Sequence, residues 1–418
     1  MRVDLDSLTK KTREYAQETL SLQAAASVLP DHIAKFAWNL SEVTAEGYPG
    51  FRFHSGADLV DDIENLCIDS AKLAFNANYA NVQALSCSMA NIATYSSLLD
   101  VGDRILSLDL KHGGHLSHGA PMSMAAQLYE VHTYPLQDHV IDFDLVRDRA
   151  RSVRPQLIIC GASAYPRSIC YKTFREIADE VGALLLADIS HVSGLVAAGL
   201  VQSPIDYAHV TTTSTYKQLY GPRGGLILAG SDHDLVPLNK RKPIHQLIDR
   251  GLFPGFQGTP DFRQIAQKAL ALEEAQTKEF EQRMKRVLRL ARILSDTFRG
   301  QGLDMITGGT DTHMVLVDLS NERVKGNEVE SLLESIGILV NRNLIPNDCL
   351  SPNVTSGVRF GTNIVAYRGL DEKSIQDIAQ IVVSTINEAT PAMRNEHKQI
   401  VDSICRKFPL NQTCADVV

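Results

Sequence analysis

The sequence predicts an α/β fold, in which a large domain contains a mostly parallel sheet and a smaller α+β domain follows it. Two observations support this fold. The chain of 418 residues is longer than a single hydrophobic core usually serves. Short apolar runs also alternate with amphipathic helical patterns, and strands connected through helices pair in parallel. These runs cover Arg104–Leu108, 156–160, 183–187, 209–213 and Gly225–Ala229.

The flanking segments predict the remaining parts of the chain. Residues 1–40 have a helical pattern that breaks at Pro30, which predicts an N-terminal helical arm. A long helix is predicted over 279–299, where apolar side chains recur at three- and four-residue steps. Beyond it the pattern is that of a small domain, with strands at 313–318, 337–340 and 357–360 and a helix at 371–389. The predicted parts are therefore an arm (1–40), a large domain (41–275) and a C-terminal domain (276–418).

Charge and cysteine content argue against several classes of protein. The net charge of -8 is unfavourable for a nucleic-acid-binding surface, which needs basic side chains. Seven dispersed cysteines without a CxxC pair indicate free thiols rather than a disulfide framework. The chain has neither a signal-peptide core nor an apolar run of roughly 20 residues. We expect a cytoplasmic protein that binds neither nucleic acid nor a membrane.

Ser86, Cys87 and Ser88 stand directly before a helical pattern. The first N–H groups of a helix have no partner within it, and together with the helix dipole they bind phosphate groups. These three residues, called the phosphate turn below, are therefore candidates for binding a small phosphate. The alternative is that Ser88 only caps the helix.

Asp188 ends the apolar strand in ALLLADISH (183–191). A carboxylate at this position can pair with the protonated nitrogen of a pyridine ring and so make the ring an electron sink. The alternative is an aspartate that caps the next turn.

Lys217 lies between an apolar strand and a glycine-rich turn in TTTSTYKQLYGPRGG (211–225), where a surface lysine would be unusual. A desolvated lysine amine forms a Schiff base with an aldehyde. The hydroxyl groups of Thr212, Thr213 and Thr215 are candidates for further phosphate hydrogen bonds. Lys217, Asp188 and the phosphate turn together predict pyridoxal 5'-phosphate (PLP) as the cofactor.

Three histidines occur in KHGGHLSHG (111–119), where the glycines permit a close approach of the backbone to a ligand. The imidazole of His115 is a candidate for stacking on a pyridine ring. A metal site is the weaker interpretation, because no cysteine or paired carboxylate accompanies the histidines. We predict no metal.

Together these segments resemble the serine hydroxymethyltransferase family over nearly the whole chain. The resemblance rests on many motifs in the same order and spacing, namely AEGYPGFRFHSG, NVQALSCSMAN, LKHGGHLSHG, ADISHVSGLVAAGL, HVTTTSTYK, GPRGG, LFPGFQGTP, GGTDTHMVLVDL, IPND and SGVRFGT. It implies PLP fold type I, the aspartate aminotransferase-like fold. It also implies a homodimer or tetramer with shared active sites and an amino acid as substrate.

The resemblance assigns roles to individual residues. Lys217 would hold PLP, Asp188 would pair with the ring nitrogen, and His115 would stack on the ring. His191 and Ser163 would contact the ring hydroxyl. The phosphate would be bound by Ser86, Cys87, Ser88, Thr213 and, from the neighbouring subunit, the turn at 254–258 that contains Gly258. Arg359 would bind the substrate carboxylate through a bidentate ion pair.

Other assigned residues surround the substrate. Glu46 would handle protons across the dimer interface, and Asn343 would lie at the folate position.

The chain differs from the family pattern mainly at the positions around the substrate. The motif LIASEN occurs only as LQAAAS, with Ala24 or Ala25 at the serine. The substrate and phosphate positions that are usually tyrosine hold Thr44, Phe53 and His54, and the histidine before the lysine is Tyr216. Two glycines are replaced by Cys87 and Phe256.

Intact cofactor residues beside altered substrate positions lead to one main hypothesis. It is aldol or retro-aldol chemistry, of transaldolase or aldolase type, on a β-hydroxy-α-amino acid, as in specialised metabolism. One alternative is a folate-dependent glycine/serine hydroxymethyltransferase, so the use of tetrahydrofolate stays open. A second alternative is decarboxylation or oxidation of an unusual glycine-like amino acid. A non-enzymatic role is opposed by Lys217, Asp188, His191 and Arg359.

Overall fold

The computed structural model describes residues 4–36, 43–388 and 390–410. The helices of this part of the chain, α1 to α15 in chain order, cover Leu5–Glu18, Asp31–Phe36, Asp58–Phe75, Cys87–Leu98, Met124–Leu128, Phe143–Val153, Tyr171–Val181, Ser193–Ala197, Ile244–Leu252, Phe262–Glu274, Lys278–Gly300, Gly326–Ser335, Asn363–Tyr367, Glu372–Asn387 and Pro391–Lys407. The strands, β1 to β15, cover Leu20–Ser21, Gly47–Tyr48, Phe51–Arg52, Tyr79–Asn81, Arg104–Leu108, Glu130–Tyr134, Leu157–Cys160, Leu184–Asp188, Val210–Ser214, Gly225–Ala229, Asp304–Met305, Met314–Asp318, Ile338–Leu339, Asn341–Asn343 and Gly357–Gly361.

The chain divides into two units, which are described separately. The larger unit contains Ser27–Ser163 and Ser168–Gln282. The smaller unit contains Met1–Ala26, Ala164–Arg167 and Arg283–Val418. The three-part division predicted from the sequence stays a prediction.

The larger unit is built on a seven-stranded sheet with the order β4-β10-β9-β8-β7-β5-β6. Neighbouring strands from β9 to β6 are parallel, whereas β10 is antiparallel to both β9 and β4. All five apolar runs form strands of this sheet, which confirms the predicted α/β fold class. Because β8 and β9 are parallel neighbours, their carboxyl ends meet at one edge, where open α/β sheets bind ligands.

Helices on the sheet explain why the central strands are apolar throughout. Helix α4 packs Tyr95 against Leu157, Ile159 and Leu186 of β7 and β8, and all four side chains are fully buried. Its other apolar residues pack with Val210 of β9 and with α9. Strands that are buried on both faces lose the alternation of polar and apolar residues. The same packing fixes the amino end of α4, which carries the phosphate turn.

The outer strands were not predicted. Strand β6 has the sequence EVHTY and lies at the sheet edge, where a half-exposed strand keeps polar side chains. Strand β4 has only three residues and therefore too short a pattern to identify.

The smaller unit contains an antiparallel sheet with the order β11-β12-β15-β14. The segment predicted as a strand at 337–340 lies outside this sheet, since β13 pairs in parallel with β1. Residues 19–30, within the predicted helical arm, are not helical and include β1. No helix in the described ranges is both long and apolar enough to span a membrane.

Candidate active site

Lys217 follows β9 in a loop that is fixed by internal hydrogen bonds. The hydroxyl of Thr215 donates to the carbonyl of Pro222 at 2.6 Å, and the Thr215 N–H donates to the Gly224 carbonyl at 3.1 Å. Lys217 is only 6% exposed, and its Nζ lies 6.0 Å from the centre of the Tyr216 ring. Lysine is rarely buried in proteins unless its amine has a specific role.

Asp188 ends β8 and is buried at the same edge of the sheet. Its Oδ2 accepts hydrogen bonds from Asn91 Nδ2 at 2.9 Å and from His118 Nε2 at 3.0 Å, and its Oδ1 accepts from the Ser190 N–H at 3.0 Å. Burial raises the pKa of Asp188, but the hydrogen bond and charge of His118 and the hydrogen bond from Ser190 outweigh it and keep that pKa well below its usual value. Asp188 is therefore an ionised carboxylate that can pair with a ring cation.

Cys87 extends this cluster. Its Sγ lies 3.6 Å from Asp188 Oδ2, and the Ser190 hydroxyl donates to Sγ at 3.1 Å. Burial, and then the negative charge of Asp188, raise the pKa of the Cys87 thiol well above its usual value. Cys87 therefore stays a neutral thiol that donates to Asp188, at a position where the family pattern has glycine.

The phosphate turn opens α4. Ser86 is the N-cap, because its Oγ accepts from the Met89 N–H at 3.1 Å, whereas Ser88 was the cap considered from the sequence. Gly225 of β10 lies directly against this turn, since a Cβ on Gly225 would come within 2.5 Å of the Ser86 carbonyl oxygen. Only glycine permits this approach, which places the end of the GPRGG motif beside the turn.

The other predicted cofactor residues lie in strands of the same sheet or in the segments that follow them. His115 is half-buried and caps the short helical turn Leu116–His118, and its ring centre is 5.5 Å from that of His118. The Ser163 N–H donates to the Gly113 carbonyl at 2.7 Å. His191 and Thr213 are buried. The hydroxyls of Thr212 and Thr215, considered for phosphate binding, instead donate to Asn91 Oδ1 and the Pro222 carbonyl.

Sequence reasoning missed Asn91, Ser117 and His118. Asn91 bridges Asp188 and Ser117, with its Nδ2 at 2.9 Å from each acceptor oxygen. His118 lies in the glycine- and histidine-rich motif, so that motif was a usable signal. Asn91 is one of several polar residues in α4, and nothing in the local pattern indicates that it faces a carboxylate.

Glu46 and Gly258 lie together in another part of the larger unit. A Cβ on Gly258 would come within 3.1 Å of Glu46 Oε1. The Glu46 N–H donates to His54 Nδ1 at 3.4 Å, and the Phe53 N–H donates to the Glu46 carbonyl at 2.9 Å. Thr44, Phe53 and His54 are exposed.

The hairpin of β2 and β3, which carries Glu46, is fixed to α3. Arg52 donates from Nε to Asp61 at 2.7 Å and from Nη2 to the buried Glu64. Gln83 also donates to Glu64, at 2.8 Å, and to the Gly47 carbonyl at 3.0 Å. These contacts hold Glu46 at a defined position without using its own side chain.

Arg359 and Asn343 lie on adjacent strands of the smaller unit. Arg359, on β15, is buried, and its Nε donates to Asn341 Oδ1 on β14 at 3.2 Å. Asp348 fixes the start of β15 by accepting from the Ser356 N–H at 2.8 Å and from its hydroxyl at 2.9 Å. A guanidinium held this way is pre-oriented for a carboxylate.

The residues of the larger unit fit PLP by their chemistry. The sheet edge provides a buried amine at Lys217 and an ionised carboxylate at Asp188. The helix amino end at the phosphate turn can bind a phosphate group. In the described ranges, no group of three or more His, Cys, Asp or Glu side chains is arranged to hold a metal ion.

Comparisons with known proteins identify the family of the chain. A family profile described as "Serine hydroxymethyltransferase" matches residues 2–382. A serine hydroxymethyltransferase of Wolbachia pipientis subsp. Culex pipiens (strain wPip) is 44% identical over 377 residues, which are 89% of this chain and 86% of that protein. The chain therefore belongs to the serine hydroxymethyltransferase family of PLP-dependent transferases.

Proposed function

We propose that this protein transfers the hydroxymethyl group between serine and glycine, with tetrahydrofolate as the one-carbon carrier. The observation that carries the proposal is 44% identity to a serine hydroxymethyltransferase along 89% of the chain. The sequence analysis considered this reaction as an alternative. The similarity supports it better than the specialised aldolase hypothesis, which the comparisons do not support.

The side chains described above divide the work of this reaction. When bound, PLP supplies a ring that withdraws the electron pair released as a bond at the amino-acid Cα breaks. Lys217 provides the amine that holds PLP, and Asp188 provides the fixed negative charge at the ring nitrogen. The phosphate turn, Ser163 and His191 bind the polar groups at the edge of the cofactor.

Two further residues act on the amino acid. Arg359 binds the substrate carboxylate, since its planar guanidinium is matched to a carboxylate. Glu46 transfers the proton at the hydroxymethyl group. Within the described residues the hydrogen bonds of Glu46 are made by its backbone, which leaves the side-chain carboxylate available for that transfer.

One observation favours a second reaction, aldol cleavage of a larger β-hydroxy-α-amino acid without folate. Thr44, Phe53 and His54 stand where the family pattern has tyrosines; Thr44 removes a phenol hydroxyl from the phosphate position, and Phe53 and His54 remove phenol hydroxyls near the substrate. Each lost hydrogen bond weakens binding of an ordinary serine by roughly 0.5–1.5 kcal/mol. A bulkier side chain at Cβ would fill the space.

A comparison of substrates separates the two reactions. The purified PLP-loaded enzyme is assayed with serine plus tetrahydrofolate and with threonine and allo-threonine without folate. We expect glycine formation from serine to require folate and to exceed acetaldehyde release by about tenfold or more in kcat/KM. The reverse order of rates would contradict the proposal and support the aldolase. Carbon dioxide release would indicate a decarboxylase instead.

We further infer that the protein is a homodimer whose active sites are shared. Leu59, Leu66 and Leu73 lie seven residues apart on one face of α3 and are 78%, 52% and 71% exposed in the single chain. Three exposed leucines on one helix face are typical of a surface covered by another chain. The neighbouring hairpin adds Phe51, which is 83% exposed.

Mixing two inactive variants tests the shared site. Lys217→Ala and Glu46→Ala each remove one essential group, but a mixed dimer contains one site with both groups if Glu46 acts across the interface. After subunit exchange, we expect roughly a quarter of wild-type activity, because half of the dimers are mixed and each has one intact site. A mixture no more active than its components would show that Glu46 serves its own chain.

A further inference from the structure

A chain of hydrogen bonds leads from Asp188 to His115, and its donors and acceptors can be assigned. Asp188 is ionised and therefore accepts only, so the atom of Asn91 at 2.9 Å from it is the amide nitrogen. At the other end of the same amide, the Thr212 hydroxyl lies 2.6 Å from Asn91 Oδ1 and donates to it. The contact with Asp188 sets the orientation of the Asn91 amide, and the Thr212 hydroxyl, which can donate or accept, is compatible with it.

Ser117 is the next member of the chain. Asn91 Nδ2 has two hydrogens, and the second points to Ser117 Oγ at 2.9 Å. The Ser117 oxygen is thereby an acceptor, and its own hydrogen is available for another group. That group is His115 Nδ1, which lies 2.7 Å from Ser117 Oγ.

The backbone of Ser117 fixes the protonation of His115. The Ser117 N–H also points to His115 Nδ1, at 3.2 Å. A backbone N–H can only donate, so Nδ1 accepts and does not carry a proton. A neutral imidazole has one proton, which must then be on Nε2. The fully protonated ring would place an N–H against two donors at Nδ1.

We propose that Asn91 and Ser117 are positioning residues that keep His115 as the neutral tautomer with its proton on Nε2. In this state His115 can donate a hydrogen bond at Nε2 but cannot accept a proton there. His115 then stacks and donates, while the transfer of protons is left to Glu46. The inference rests on the proposed function for the role of His115, but the tautomer itself does not.

Nitrogen NMR of the histidine rings tests the tautomer directly. Solid-state ¹⁵N spectra are recorded near neutral pH on PLP-loaded protein labelled at its histidines, and His115→Asn identifies the His115 signals by their loss. In the wild type we expect an unprotonated Nδ1 and a protonated Nε2. A protonated Nδ1, alone or with Nε2, would overturn the proposal whatever reaction the enzyme catalyses.

Two variants of Ser117 test the hydrogen-bond chain. In Ser117→Ala we expect both His115 nitrogens to shift to intermediate values, because one of the two donors to Nδ1 is lost. The kcat for serine should fall about tenfold with KM for serine little changed. Ser117→Thr keeps the hydroxyl and should restore both the spectrum and kcat. Unchanged ring signals in Ser117→Ala would refute the role of Ser117.

Because the spectra are recorded without substrate, they do not depend on the folate assay. A protein that fails to use serine and folate but shows the expected tautomer would refute the proposed function alone. A protein that uses both but carries a proton on Nδ1 would refute this inference alone.

Discussion

Lys217→Ala is expected to abolish turnover, with kcat for serine reduced by at least about 1000-fold. The Lys217 amine is buried after β9, and its charge is close enough to act on the Cys87 thiol beside Asp188. Alanine fills none of that space and provides no amine to hold the cofactor. Steady-state assays with serine and tetrahydrofolate measure the loss.

Covalent attachment gives an independent measurement for the same residue. Borohydride reduction of the PLP-loaded wild type, followed by peptide mass mapping, should place the cofactor on the peptide that contains Lys217. The variant should show no such adduct. Lys172→Ala is a suitable control, because the Lys172 side chain is 66% exposed in the same unit. Activity near the wild-type level in Lys217→Ala would refute the assignment.

The sequence predicted the central part of the fold because burial on both faces produces continuous apolar runs. Strands β5 and β10 have the predicted bounds, and the bounds of β7, β8 and β9 differ from the predicted ones by at most one residue at each end. Lys217 and Asp188 were predictable because each is a charged residue beside such a run. Polar edge strands and two-residue strands lack this signal.

The hydrogen-bonded partners of Asp188 could not be predicted in the same way. Asn91, His118 and Cys87 come from two segments that are distant in the chain from β8 and meet only through the sheet topology. The cap of α4 depends on backbone geometry, which makes Ser86 rather than Ser88 the residue with an extended conformation. Such details follow from tertiary structure and not from local sequence pattern.

Lys268 is another residue that the sequence pattern hides. It lies in the amphipathic helix α10, where a lysine is usually exposed, yet its side chain is fully buried. Its Nζ donates to the carbonyl oxygens of Val82, Ala84 and Gly225 at 2.7, 2.9 and 3.2 Å. Two of these carbonyls shortly precede the phosphate turn, and the third lies beside it.

Lys268→Met is expected to lower the free energy of unfolding by about 3 kcal/mol at neutral pH, because three buried carbonyls lose a charged donor. Weaker PLP binding should accompany this loss, since the freed carbonyls belong to the segments that form the phosphate turn. Urea unfolding and PLP titration measure the two effects. Lys172→Met, at an exposed position, should change neither. An equally stable Lys268→Met variant with unchanged PLP affinity would contradict the structural role.

The difference in free energy of unfolding between the wild type and Lys268→Met should depend on pH, and the pKa of Lys268 sets the sign of that dependence. Burial lowers the pKa of Lys268 from 10.5 to about 8, although the negative charge of Glu64 opposes the shift. Between these two values the unfolded chain binds the proton more strongly than the folded chain, so stability rises with pH. The stability of the wild type relative to Lys268→Met should therefore increase as the pH rises from about 8 towards 10.5. This increase should be lost when the pH is lowered again through about 8. If the stability difference between the wild type and Lys268→Met instead decreased with rising pH, the carbonyl oxygens would stabilise the Lys268 ammonium group more than burial destabilises it.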